Sequence, residues 1–298
     1  MIREPKRNEG GDESLRSVVA WFRSQPDLVR RLGSVIRRSL DEVFDGQRTG
    51  RYRIDQLSKV EKSYIGTKVE IILQDEFGLS RGRRLDYSVC GVDVDAKWSM
   101  KFGGWMIPTE AIGELCICLT GDDEAGTFSV GVVRATSDRL TGKVNKDGKG
   151  RLSQSGLDAA VWLVTRGGLP ENLLMHLSDE TRNAVLDPKL SRQRRVVELF
   201  HRVQERIISR EVVLTVAQQL DGPKRVRDAR RLLAPLDIEI LGHQDGDPEA
   251  AAAFGLPVPR KGEWVSVSVE PAERGGAGAA LVRGRWVRPV FPRISPGG

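Results

Sequence analysis

Apolar and charged side chains alternate along Val92-Asp93-Val94-Asp95-Ala96-Lys97-Trp98. On a strand successive side chains point to opposite faces, so Asp93, Asp95 and Lys97 share one face while Val92, Val94, Ala96 and Trp98 pack behind it. Acids and a lysine are thereby presented in a row. In this reading Asp86, on the preceding strand of a hairpin, and Glu70, on the helix before that, converge on the same face. Hard carboxylate oxygens of this kind hold a magnesium ion that keeps part of its water shell; the ion polarises a phosphate, and a lysine orients or deprotonates the attacking water. That chemistry is metal-assisted phosphodiester hydrolysis. Its rival is a solvated strand face laced with cross-strand ion pairs.

These residues need elements to position them. Between residues 13 and 44, Leu15, Val18, Val19 and Phe22, then Leu28, Leu32, Val35, Ile36, Leu40 and Val43, recur at three and four with a break at Pro26, which predicts two amphipathic helices. A turn-rich basic loop, residues 45–51, follows. Its Arg48 and Arg51 either reach a phosphate or base edge, or simply decorate a helix connection. A third helix is expected from about Asp55 through Leu57, Val60, Tyr64, Val69 and Ile72 towards Phe77, and it carries Glu70 near its end. After Gly78 the period shortens to two: residues 85–90, a turn at Gly91 and residues 92–99 read as a hairpin, with further strands at 112–119 and 127–134. A Gly-, Lys- and Asp-rich loop (142–150) and a helix at about 153–164 close a mixed α/β first half.

Gly167-Gly168-Leu169-Pro170 breaks the pattern and marks the expected boundary, giving domains 1–166 and 169–298; the polar stretch 187–194 is the less favoured alternative. The second half opens with a helix marked by Val196, Val197, Leu199, Phe200, Val203 and Ile207. Ser209 can cap a short helix at 211–219, a turn covers 220–223, and a basic helix spans 224–233. Strands at Ile238-Glu239-Ile240-Leu241, 264–269 and 279–287 complete a helix-turn-helix with β wings. On the basic helix Arg227, Arg230 and Arg231 are expected to share a face with Lys224, and Arg225 adds a further cation, while Val226, Ala229 and Leu233 face the domain. A solvated cationic face is the alternative to a helix in the DNA major groove.

The 298 residues are about twice a typical domain in length, and 39% apolar with 30% charged residues place the chain among globular proteins. No run approaches the eighteen or so apolar residues of a membrane span, and the N-terminus lacks the apolar stretch of a signal peptide, so a cytoplasmic protein without a membrane partner is expected. Cys90, Cys116 and Cys118 lack paired CxxC spacing, which argues against disulfides and structural zinc. His176, His201 and His243 are too dispersed for a metal site, and Ser153 and Ser155 lack the His and Asp partners of a hydrolytic nucleophile. Twelve basic residues against five acidic ones between 189 and 231 give that segment +7, more than the +6 of the whole chain. That charge permits an anionic partner for the second half.

Asp86, followed after eight residues by Asp95-x-Lys97, matches the PD-(D/E)xK nuclease pattern. A far more specific likeness comes from Asp45-Gly-Gln-Arg-Thr-Gly-Arg51, Asp55-Gln-Leu57 with Glu61-Lys62, Gly66-Thr67 with Val69-Glu70-Ile71, and Asp95-x-Lys97 with Ser99-Met100. To these add Glu171-Asn-Leu-Leu174, Thr215-Val-Ala-Gln-Gln219, Lys224-Arg-Val-Arg227, and Ile240-Leu-Gly-His-Gln-Asp245 with Leu256-Pro-Val-Pro-Arg-Lys-Gly262. Over about residues 41–269 the chain closely resembles the NaeI-type restriction endonucleases. The resemblance implies a magnesium-dependent homodimer, each subunit joining a restriction-endonuclease-like nuclease domain to a catabolite-activator-like winged helix-turn-helix domain. That second domain is implied to hold a further copy of the recognition site and to stimulate cleavage. By motif, Glu70, Asp86 and Asp95 become the metal-binding carboxylates and Lys97 the catalytic lysine, with Asp93 a candidate outer-shell group. The same resemblance implies a GC-rich palindrome and a cognate DNA methyltransferase as genetic partner. The expected function is a type IIE-like endonuclease making double-strand breaks; the rival is a non-catalytic DNA-binding regulator on a nuclease-derived fold. Intact Glu70, Asp86, Asp95 and Lys97 speak against that rival.

Overall fold

Pro26 and Asp27, the latter in a left-handed conformation at φ 52, part α1 (Glu13–Arg23) from α2 (Leu28–Phe44) in the computed structural model, which describes residues 11–142 and 148–291. Asp12 caps α1 by accepting from the Leu15 N–H at 3.0 Å, and the helix buries Val18, Val19 and Phe22. A short α3 (Gly46–Thr49) follows. α4 (Lys59–Phe77) starts later than its apolar spacing suggests, because residues 54–56 form a 3-10 turn and Ser58 with Glu61 closes a capping box. It ends at Gly78, whose φ of 61 suits a residue without Cβ.

The period of two then takes over. β1 (Ser80–Arg81), β2 (Tyr87–Val89) and β3 (Val92–Ser99) are joined in turn, with Val89 facing Val92 across Cys90 and Gly91. Both turn residues have positive φ, 52 and 76, the conformation of a type I′ hairpin. β4 (Met106–Ile107), β5 (Leu115–Asp122), β6 (Thr127–Arg134), β7 (Gly150–Arg151), α5 (Gln154–Asp158) and β8 (Val161–Gly168) complete the first half. The main sheet has the order β1-β2-β3-β5-β6-β8; β3 and β5 are parallel and every other pair is antiparallel. A small apolar cluster of Trp105, Ile107, Ala111, Cys116, Cys118, Val133, Ala135 and Leu152 covers part of it.

The helix expected at 153–164 is mostly a strand. Ser153 does cap α5, but α5 stops at Asp158, and Val161, Trp162, Val164 and Thr165 suit a pleated edge next to β6 better than a helix. The loop at 142–150 includes residues 143–147, which lie outside the described residues.

Contacts divide the chain into two units, Met1–Val43 with Leu57–Asn172 and Phe44–Gln56 with Leu173–Gly298. Gly167 and Gly168, read from sequence as the break, pair with Phe128 and Thr127 inside β8, and the change of unit comes after Asn172. The second unit contains α3, α6 (Asp179–Val185), α7 (Arg192–Arg202), β9 (Ile208–Ser209), α8 (Arg210–Ala217), α9 (Gly222–Leu233), β10 (Ile238–Leu241), α10 (Asp247–Ala253), β11 (Glu263–Pro271), β12 (Ala280–Val282) and β13 (Arg285–Pro289). Ser191, Ser209 and Asp221 cap α7, α8 and α9 with their side chains. Helices α7, α8 and α9 bury Val196, Phe200, Val213, Val216, Val226 and Leu233 in one core, while β11 pairs with both β9 and β10. No helix among the described residues is long and apolar enough to cross a membrane.

Candidate active site

The parallel register of β3 on β5 sets Asp95 beside Cys116 and Lys97 beside Cys118. Asp95 is 5% exposed, and its Oδ2 lies 2.6 Å from Lys97 Nζ. Just before β2, Asp86 accepts the Ala96 N–H at 2.7 Å through Oδ2, which fixes its carboxylate against β3. The Tyr87 hydroxyl donates to the Glu70 carbonyl oxygen at 2.7 Å and ties α4 to the sheet. The Asp86 carboxylate stands near enough to both Glu70 and Asp95 to disfavour their charged forms. The four residues singled out from sequence therefore meet in space.

Their electrostatics are those of a site short of positive charge. Burial, with the negative neighbour Asp86, pushes Asp95 up to about 6 despite Lys97 alongside, and burial with Asp86 also raises Glu70. Burial works against the Lys97 charge, but Asp95 and Asp86 outweigh it and hold the amine above the ordinary lysine value. Lys97 is thus an ammonium donor. Cys116 and Cys118, raised by burial, stay thiols and leave an oxygen-only donor set.

That donor set fits magnesium, which usually binds through one or two carboxylates and retains waters. Among the described residues no three His, Cys, Asp or Glu side chains are arranged to hold a metal ion together, so Glu70, Asp86 and Asp95 are neighbours but not a ready-made three-ligand cage.

Asp93 has a different part. Its two carboxylate oxygens accept the N–H groups of Arg83 and Arg84 at 3.0 Å each, closing the turn before β2, and those bonds lower its pKa. Asp93→Ala is accordingly expected to leave activity within a few-fold of wild type and to cost about 1 kcal/mol of stability after solvent screening. Parallel activity assays and thermal unfolding check this; a loss of activity with unchanged stability would return Asp93 to the chemistry.

The basic residues expected to meet DNA lie in the second unit. Lys224, Arg227 and Arg231 are exposed on α9. Arg225 is half-buried and donates to Gln193 Oε1 at 3.3 Å. Arg230 does not share their face: on a 3.6-residue helix it lies about 120° from Lys224. It donates to the Ile240 carbonyl oxygen at 2.9 Å and to Asp247 Oδ2 at 3.0 Å. Sequence reasoning missed Asp247, buried at 6% exposure, which also receives Arg283, and Glu239, which pairs with Arg283 and Arg285. Arg283 and Gly284, at φ 47 and 82, form the two-residue turn that aims Arg283 inward; no local pattern announces that network. Arg48 is exposed and pairs with Asp45, and Arg51 donates to the Phe44 carbonyl oxygen at 3.3 Å; both belong to the second unit.

A family model described as Restriction endonuclease NaeI matches residues 16–288. The type II restriction enzyme NaeI of Lentzea aerocolonigenes is 46% identical over 306 residues, covering 95% of this chain and 96% of its own.

Proposed function

The chain belongs to the NaeI family of restriction endonucleases and is a type II site-specific deoxyribonuclease acting on double-stranded DNA. From that premise we propose that it makes magnesium-dependent double-strand breaks at a short, GC-rich palindrome, as a homodimer stimulated by a second copy of DNA on its second unit. The observation that carries this reading is the meeting of Asp86, Asp95 and Lys97 beside Glu70. The first unit then serves as the PD-(D/E)xK nuclease domain. In the second, α8, the turn and α9, followed by β10 and β11 with β9 alongside, support a winged helix-turn-helix.

Asp86 and Asp95, with Glu70 beside them, would hold magnesium. When bound, the ion would polarise the scissile phosphate and lower the pKa of a bound water. Lys97 donates from its ammonium to the attacking water or a non-bridging phosphate oxygen, and its pair with Asp95 keeps that donor aimed along the strand face. Two-fold symmetry follows from the substrate, because cutting both strands of a palindrome in one encounter needs two active sites related as the strands are. Sedimentation of the enzyme on a cognate duplex checks it. A cognate methyltransferase is the genetic partner such an activity requires.

Incubating the purified protein with a large plasmid, with and without magnesium, and sequencing the ends tests the proposal. Discrete fragments that appear only with magnesium and share one palindromic sequence at their ends are expected. Fragments that form without magnesium, or ends that share no palindrome, would overturn it.

A further inference from the structure

Residues 44–56 precede most of the first unit in sequence yet pack within the second. Two glycines permit this. A Cβ on Gly46 would lie 2.1 Å from Thr215 Oγ1, and one on Gly50, at φ 72, would lie 2.6 Å from Gln218 Nε2. With α3 so close to α8, and Tyr52 against the unit's apolar core, a groove opens beside the turn between α8 and α9. Gln47, Arg48, Arg192, Gln218, Gln219 and Leu220 line it.

The groove lining has cations and amides but no carboxylate. Arg48, 79% exposed, is paired among the described residues across three residues to Asp45, an exposed contact that competes weakly with a phosphate. Arg192 is exposed and has no ion pair among the described residues. It also stands at the first position of α7, where the helix dipole disfavours positive charge, so nothing local accounts for a cation there. Gln47, Gln218 and Gln219 add side-chain amides to the lining, and amide N–H groups donate to phosphate oxygens. In helix-turn-helix docking the second helix enters the major groove while the helix before it crosses the backbone, so the turn between them stands beside the phosphates.

We propose that this groove holds the sugar-phosphate backbone of the effector DNA, with Arg48 and Arg192 on phosphate. The assignment rests on the effector reading above and adds residues 44–56 to that site, so Arg48 sets affinity for effector DNA and not the rate of the cutting step. In sequence the same segment runs on from α2 and into α4, the helix that bears Glu70.

The test uses full-length protein, wild type and Arg48→Ala/Arg192→Ala, on a plasmid carrying one site. Cleavage is measured against the concentration of a short duplex bearing the site identified from the sequenced ends. The double variant should need about tenfold more duplex for half-maximal stimulation, equivalent to about 1.4 kcal/mol, and the gap should narrow as salt rises. Its rate at saturating duplex should stay within about twofold of wild type, since no group at the cutting site changes. Matching thermal unfolding curves show that the variant is folded. A lower saturating rate with an unchanged half-maximal concentration would assign the groove to the cutting site, and no change in either would remove it from DNA binding; both overturn the proposal. Absence of stimulation in the wild type would instead refute the effector reading itself, and the assignment with it.

Discussion

Asp95→Asn and Lys97→Met are each expected to slow plasmid cleavage on the order of a thousandfold or more at saturating magnesium, while DNA binding persists. Both substitutions keep the size of the side chain they replace. Asp95→Asn removes the charge that a divalent ion needs, and Lys97→Met keeps the aliphatic stem while deleting the donor that sits 2.6 Å from Asp95. Lys97→Ala is a poorer test, because it also removes the aliphatic stem of a half-buried side chain and so burdens the fold by lost packing. Binding should persist because affinity comes mainly from phosphate contacts spread over the protein, whereas in the proposed mechanism these two groups act where charge develops in the transition state. Single-turnover cleavage together with a binding titration separates the two effects. A variant cutting at near wild-type rate would remove its residue from the active site.

The second large effect concerns α9. Lys224→Ala, Arg227→Ala and Arg231→Ala combined should abolish stimulation by a cognate duplex added in trans and lower the salt dependence of effector binding by about three phosphate contacts. These three are exposed, whereas Val226, Ala229 and Leu233 are buried beneath them. Arg230→Ala should behave differently. Its guanidinium bonds Ile240 and Asp247, so the substitution lowers thermal stability and disturbs the angle of α9 without removing a DNA-facing charge. Stimulation retained by the triple variant and lost only through Arg230 would reverse this assignment. The measurement needs the full chain: a fragment beginning near Leu169 lacks residues 44–56, which pack against α8.

Much of the candidate active site was legible because its pattern is local. Alternation along β3 announces which residues share a face, the Cys90-Gly91 turn sets the hairpin register, and a three-four spacing announces α1, α2 and the helix that carries Glu70. Capping by Ser209 and the inward row Val226, Ala229 and Leu233 are local as well. Asp93 and Asp95 look equivalent in the sequence, and only the tertiary structure sorts them: the N–H groups of Arg83 and Arg84 claim one, and Cys116 and Asp86 surround the other. Likewise β8 becomes a strand because β6 offers it a ladder, Arg230 turns inward because Asp247 is buried near its helix, and residues 44–56 join the second unit because Gly46 and Gly50 let α8 come close. Periodicity and propensity express free energies set within a turn or two of chain, and they belong to the sequence by itself. Which distant polar group meets a carboxylate or a guanidinium depends on contacts closed across long stretches of chain, and only the folded structure supplies those partners.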